Sequence, residues 1–129
     1  MLLPTTLCLT AAAIVVNFWL GVRISKLRYP LGISVGDGGN EALIRRMRAQ
    51  ANFMENTPLT LILVAAVELA GQGGAWLAPA GAVFILGRIA HGIGMDGPFK
   101  AGRPIGMLTT YLLQLALIGV GVLASIGKL

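Results

Sequence analysis

The sequence predicts an all-α fold, a single domain over residues 1–129 that crosses a membrane as a four-helix bundle. Composition is one reason: 56% of the residues are hydrophobic and 12% charged, against roughly 45–50% and about 25% in average soluble domains. The spacing of the apolar stretches is another. They fall over about 2–22, 41–70, 77–95 and 104–126, with short polar connections between them. The third is where the charge lies. Arg23, Lys26, Arg28, Arg45, Arg46 and Arg48 surround the first connection and Lys100 and Arg103 the third, whereas the N-terminus and the connection at 72–79 carry no basic side chain. Basic side chains collect on the cytoplasmic face of multi-pass proteins, so both termini are expected on the opposite side. The same distribution makes the net charge of +5 a membrane feature that favours lipid headgroups and anionic ligands, with no nucleic acid as partner.

The first span carries Asn17 as its one strongly polar side chain and Trp19 near an interface, where indole rings prefer to lie. Asn17 serves either helix packing or a site lining, and packing is the simpler role. The span lacks the basic start of a secretory signal and is expected to stay as an anchor. A cationic exit follows, and Pro30 is expected to force Tyr29 out of helix. Gly32 to Asn40, with Gly36-Asp37-Gly38-Gly39, reads as a loop. Asn40 is a candidate N-cap for the second helix, with Glu41 in its first turn. That helix passes through Pro58, which bends a membrane helix without breaking it when neighbours satisfy the freed carbonyl. Glu68 lies near its far end and is assigned no chemistry. Gly71 to Gly74 turns the chain, and Trp76 marks the interface before the third span. Arg103-Pro104 opens the last helix in the manner of a proline at the first helical position. Tyr111 and Gln114, at i and i+3, are a lining pair or interhelical glue. Gly119 and Gly121 are expected to allow close helix approach, with Ala11 to Ala13 as their counterpart.

The motifs that are missing exclude several chemistries. No glycine-rich phosphate loop ending in Lys, no paired-cysteine metal spacing and no strand-to-helix nucleophile elbow occurs, and no metal site is assigned. Cys8 stands alone in an apolar run, as a small hydrophobe.

What remains is a polar stripe entering the membrane. Arg45, Arg48, Asn52 and Glu55 fall at i, i+3, i+7 and i+10 of the second helix and line one side of it. From Thr57 to Ala70 there are only 14 residues, roughly 21 Å of helix against a hydrocarbon layer of about 30 Å. Spanning therefore draws Asn52 and Glu55 below the membrane surface, where an ionisable group costs on the order of 2.5–3.5 kcal/mol and faces a partner inside a bundle. Arg48 is the nearest candidate partner for Glu55. Arg88 and His91, at i and i+3 of the third span, lie close enough to the same side to meet Arg48, Asn52 and Glu55. The stripe is either a binding surface or a satisfied interhelical clasp.

The run Arg48-Ala49-Gln50-Ala51-Asn52-Phe53-Met54-Glu55-Asn56-Thr57-Pro58 resembles the R-A-x-x-N-x-x-E-x-x-P signature of the MAPEG family, the membrane-associated proteins in eicosanoid and glutathione metabolism. Gly87-Arg88-Ile89-Ala90-His91 is similar to the third helix of some members, and the length agrees with a short bacterial-type member. The resemblance implies a homotrimer, in an inner membrane, that binds glutathione as co-substrate between subunits on the cytoplasmic side. Arg48, Asn52, Glu55 and Arg88 match the positions that would hold it, and His91 beside Arg88 is a further binding candidate or a hydrogen-bonded structural residue. Arg103 would stabilise its thiolate, with the register off by about one residue and Lys100 as the alternative. A hydrophobic small-molecule substrate would enter from the bilayer, for conjugation or peroxide reduction. Asn56 and Met95 stand where some members have tyrosine, which bears on eicosanoid-specific activity and on the strength of glutathione binding. The competing class is a non-enzymatic membrane protein, a scaffold or small transporter, that keeps the fold without glutathione chemistry. The one-sided clustering of charge and the lack of mirrored halves argue against a transporter.

Overall fold

Pro4, whose fixed φ suits the first position of a helix, opens a helix that runs unbroken to Leu31 (α1, Pro4–Leu31) in the computed structural model, which describes all 129 residues. This is nine residues beyond Val22, where the apolar run ends, and Tyr29 stays helical in front of Pro30. The expected break fails because Pro30 lies in the last turn, where few helical bonds remain to be lost. Termination falls to Gly32, left-handed at φ 65°. Its N–H donates to the Tyr29 carbonyl at 3.2 Å and that of Ile33 to the Arg28 carbonyl at 3.2 Å, the paired closure that a left-handed glycine permits. Arg28 then folds the loop back, donating to the Gly36 carbonyl at 2.6 Å.

Asn40 caps the second helix (α2, Glu41–Leu69), accepting the Leu43 N–H at 3.0 Å. The helix continues through Pro58. After the turn, the third helix (α3, Leu77–Met95) and the fourth (α4, Gly102–Ser125) complete an antiparallel all-α bundle. Arg103 and Pro104 lie inside the first turn of α4 rather than opening it, since Gly102 is already helical.

Helix α3 packs most extensively on α4 and α1 on α2, while α1 and α4 lie on the long diagonal and do not meet. That geometry overturns the expected approach of Gly119 and Gly121 to Ala11–Ala13. A Cβ on Gly119 would meet nothing within 4 Å, and one on Gly121 only Leu63. The close crossing is instead between α3 and α4, where a Cβ on Gly106 would stand 2.5 Å from the Gly87 carbonyl oxygen and also strike the His91 side chain. The core lies between the helices, on Leu9, Val16 and Leu20 of α1, Phe53 and Val64 of α2, Phe84 of α3 and Leu117 of α4.

Outside that core the surface is apolar. Phe18, Leu86 and Leu115 are each at least 65% exposed, a surface suited to lipid or to another subunit and not to water. Helices α1, α3 and α4 are long and apolar enough to cross a membrane. The charged first half of α2 sets it apart, although its 29 residues reach roughly 43 Å.

Two clasps tie the ends. At one, the Glu68 carboxylate from α2 accepts the Thr5 N–H at 2.9 Å, the Thr6 N–H at 2.8 Å and the Thr6 hydroxyl at 2.7 Å. It thus caps α1, which has no side-chain cap of its own, with negative charge at the positive end of the helix. At the cationic end, Asp96 accepts from Arg23 of α1 and from Arg46 of α2 at 3.3 Å, fastening the α3–α4 turn to the other two helices. Arg23 also lies over Trp19, 4.5 Å from the ring centroid, and Gln50 donates to Asn17 at 3.2 Å, which gives Asn17 its packing role.

Candidate functional site

The bundle brings two of the sequence-derived site residues into contact across helices. Arg88 of α3 is 1% exposed, and its Nη2 donates to the Oδ1 of Asn52 on α2. Its Nη1 donates to the Thr110 hydroxyl of α4 at 3.2 Å and lies 3.9 Å from the Met107 sulfur. Its Nε is buried without a partner. No carboxylate pairs with this guanidinium. A buried charge in a low-dielectric interior is normally paired, and this one is held only by neutral acceptors.

Those acceptors continue into a polar path through the apolar half of the bundle. Thr110 donates to the Gly106 carbonyl at 2.8 Å. One turn further along α4, Gln114 donates to the Thr60 hydroxyl at 3.0 Å. Thr60 donates to the Asn56 carbonyl at 2.8 Å, and the Asn56 side chain to the Asn52 carbonyl at 2.9 Å, which returns the path to Arg88. Gln114 is therefore interhelical glue, while Tyr111 faces outward and is 52% exposed. Thr60 and Thr110, both buried, were not singled out in the sequence. Their signal was a hydroxyl in an apolar run, eight residues after Asn52 and four before Gln114.

His91 is 5% exposed, and its Nδ1 is buried without a partner. It sits one turn from Arg88, wedged against the glycine-thin backbone of α4 at Gly106.

The other candidates stay apart within the chain. Arg48 and Glu55 are exposed and make no ion pair with each other. Seven residues separate them, roughly 10.5 Å of rise, so sharing a stripe does not bring them into contact. Arg45 pairs instead with Glu41 one turn away. Arg103 is exposed on the first turn of α4, where it lines a pocket of 320 Å³ with Arg45, Lys100, Gly94, Met95 and Gly97. A larger apolar groove, 570 Å³ between α1 and α3, runs from Pro4 and Ala78 past Cys8 towards Leu86. Its lining offers no charged group to the polar path.

The sequence-derived candidates thus stand as a buried guanidinium with an orphan N–H, a buried imidazole beside it, and an exposed cation and carboxylate on the adjoining helix. Comparison with curated proteins finds no match. The profile of the MAPEG family matches residues 6–123, a span that contains every one of these site residues. With three helices apolar enough to span a bilayer, the chain is an integral membrane protein that belongs to the MAPEG family.

Proposed function

We propose that the protein is a glutathione-dependent transferase or peroxidase acting on hydrophobic electrophiles from the bilayer, with glutathione held on the cytoplasmic side between subunits of a homotrimer. The observation that carries this reading is the unpaired guanidinium of Arg88, buried beside Asn52 with Nε free. Glutathione brings two carboxylates, and guanidinium groups bind carboxylates through paired, charge-assisted hydrogen bonds. Arg48 supplies a second such group. Glu55, exposed and without a partner, is placed to take the ligand amine or to orient an arginine of a neighbouring subunit.

A cation beside the glutathione sulfur lowers its pKa by favouring the charged form. Arg103 is assigned that role, with Lys100 of the same pocket as its substitute. In conjugation the sulfur forms a bond to an electrophilic carbon, and the displaced group leaves with the bonding pair. In peroxide reduction two glutathione molecules become one disulfide while the peroxide takes two electrons and two protons to give alcohol and water.

The test is ultraviolet difference absorbance of the thiolate, titrating glutathione into detergent-purified protein at neutral pH. A saturable signal that is lost in Arg48→Ala and Arg103→Ala is expected. A second reading, a non-enzymatic membrane protein, draws support from the polar path itself, since Asn52 and Arg88 already bond to each other and tie three helices together. No thiolate signal from intact trimers would favour that reading.

A further inference from the structure

We propose that Arg45, Lys100 and Arg103 form a binding site for a phosphate group, presented by the headgroup of an anionic phospholipid at the cationic end of the bundle. The proposal goes beyond the glutathione reading and shares with it Arg103 and its substitute Lys100.

Three elements converge there: Arg45 from the first turns of α2, Lys100 from the α3–α4 turn and Arg103 from the first turn of α4, around a pocket of 320 Å³. The local carboxylates leave two of them without a partner. Asp96 is taken by Arg23 and Arg46, and Glu41 touches only Arg45, in a pair where both side chains are largely exposed. Lys100 and Arg103 make no ion pair. Close cations repel one another, so an arrangement that gathers three around one cavity is stabilised by an anion between them.

The pocket wall is backbone as much as side chain. Gly94 and Gly97 line it, and a Cβ on Gly97 would stand 3.4 Å from the Arg45 guanidinium, at a backbone φ of 107° that favours glycine. The Arg103 N–H, in the first turn of a 24-residue helix, makes no backbone hydrogen bond. It lies against the Gly94 backbone, and the first turn of α4 brings the positive end of a helix near the three side chains. A phosphodiester suits this set, because its two non-bridging oxygens share one negative charge and each can accept from more than one donor.

Location selects the lipid as the source of that phosphate. The pocket sits where the cationic helix ends leave the apolar bundle, and Phe99 and Ile105 beside it are each 43% exposed. An acyl chain would run down that apolar side while its phosphate meets the cations, and basic clusters at this level attract anionic lipid.

The experiment uses the full chain in nanodiscs, without glutathione. Lipid retained per protomer is counted by native mass spectrometry for mixtures of phosphatidylglycerol and phosphatidylcholine. Wild type is expected to hold phosphatidylglycerol selectively, with affinity falling about tenfold in Lys100→Gln and in Arg45→Gln, as loss of a charge-assisted contact dictates. Lys26→Gln removes the same charge from an exposed site outside the pocket and is expected to retain that affinity. Equal weakening by Lys26→Gln, or no preference in wild type, would overturn the proposal in favour of diffuse attraction. A second arm adds inorganic phosphate to protein in phosphatidylcholine discs and reads the unfolding temperature. A rise that needs Lys100, without selectivity for phosphatidylglycerol, would overturn the lipid assignment and give the pocket to a soluble phosphate. Thiolate formation is not read, so failure here leaves the glutathione reading standing, and the reverse.

Discussion

Replacing Asn52 by Ala should destabilise the bundle more than replacing Arg88 itself by Met. Asn52 supplies the only acceptor for Nη2 of a guanidinium that is 1% exposed and already has one orphan N–H. A hydrogen bond to a charged group is worth about 1.5–3 kcal/mol, and removing one partner leaves the other buried and unsatisfied. Interhelical bonds in membranes run lower, about 0.6 kcal/mol on average and up to about 1.7. The charge and its burial place this one at the upper end, so Asn52→Ala should cost about 2 kcal/mol, roughly thirtyfold in the folding constant. Arg88→Met removes the charge, the orphan Nε and the need for Asn52 together, keeping much of the volume. Such exchanges of buried ionic groups for apolar ones are often neutral or stabilising by about 1–4 kcal/mol. The assay is reversible unfolding in mixed detergent followed by circular dichroism, on both variants and the double variant. If Arg88→Met proved as destabilising as Asn52→Ala, the idea that Arg88 is kept for a ligand at the expense of stability would be falsified, and the guanidinium would be a structural clasp.

Other consequences follow from single contacts. Gly106→Ala should force α3 and α4 apart, because the new Cβ would stand 2.5 Å from the Gly87 carbonyl oxygen, whereas Gly119→Ala meets nothing within 4 Å and should stabilise α4 by up to about 1 kcal/mol; thermal unfolding of the pair separates them. Glu68→Gln should weaken the cap on α1, seen as faster amide exchange at Thr5 and Thr6 with helix content retained, since the three donors it serves lie within the first turn. Asp96→Asn should cost about 1 kcal/mol, because it frees Arg23 and Arg46 at once but at a site that water partly reaches; increased protease nicking of the 96–101 turn would report it. Arg103→Ala should abolish the thiolate signal while assembly persists, and a full signal would move that role to Lys100 or Arg88.

The number of helices and their alternation were legible because apolar runs and charge placement follow from the bilayer, which acts on every residue alike. The juxtaposition of Arg88 with Asn52 was legible too, since both lie at the same depth on helices that must pack. What spacing did not carry was which neighbours meet. Arg48 and Glu55 share a stripe yet lie two turns apart, so each is left to surfaces outside the chain. Gly119 and Gly121 resemble a packing motif, but a glycine permits close approach only where a second helix faces it, and that place is Gly106. Pro30 was misjudged because its effect depends on how many helical bonds follow it. Glu68 looked idle since two of its three donors are backbone N–H groups and the third a threonine hydroxyl, on a helix some 62 residues away in sequence, for which no charge pattern exists.

The glycine seam between α3 and α4 also ties the two cationic features of the molecule together. Gly106 rests against His91, one turn below Arg103, and Gly102 against the carbonyl of Ala90. Arg103 is thus carried on a helix whose first turn cannot slide without striking the backbone that positions Arg88 and His91. The Asp96 clasp holds the connecting turn from the other side. A flexible lysine or arginine on a loop would lose much of its binding energy to ordering. Here the backbone that carries Arg103 is ordered when the helices pack, at a fixed place relative to the backbone of Arg88. That packing makes a prediction about Gly102, which carries no side chain of its own and acts through the placement of Arg103. In Gly102→Ala the Cβ would strike the Ala90 carbonyl and displace the first turn of α4. The thiolate signal should then fall together with Arg103→Ala while Arg48-dependent glutathione binding, followed by calorimetry, remains. Loss of both would show that the seam supports the whole bundle and not the placement of one charge.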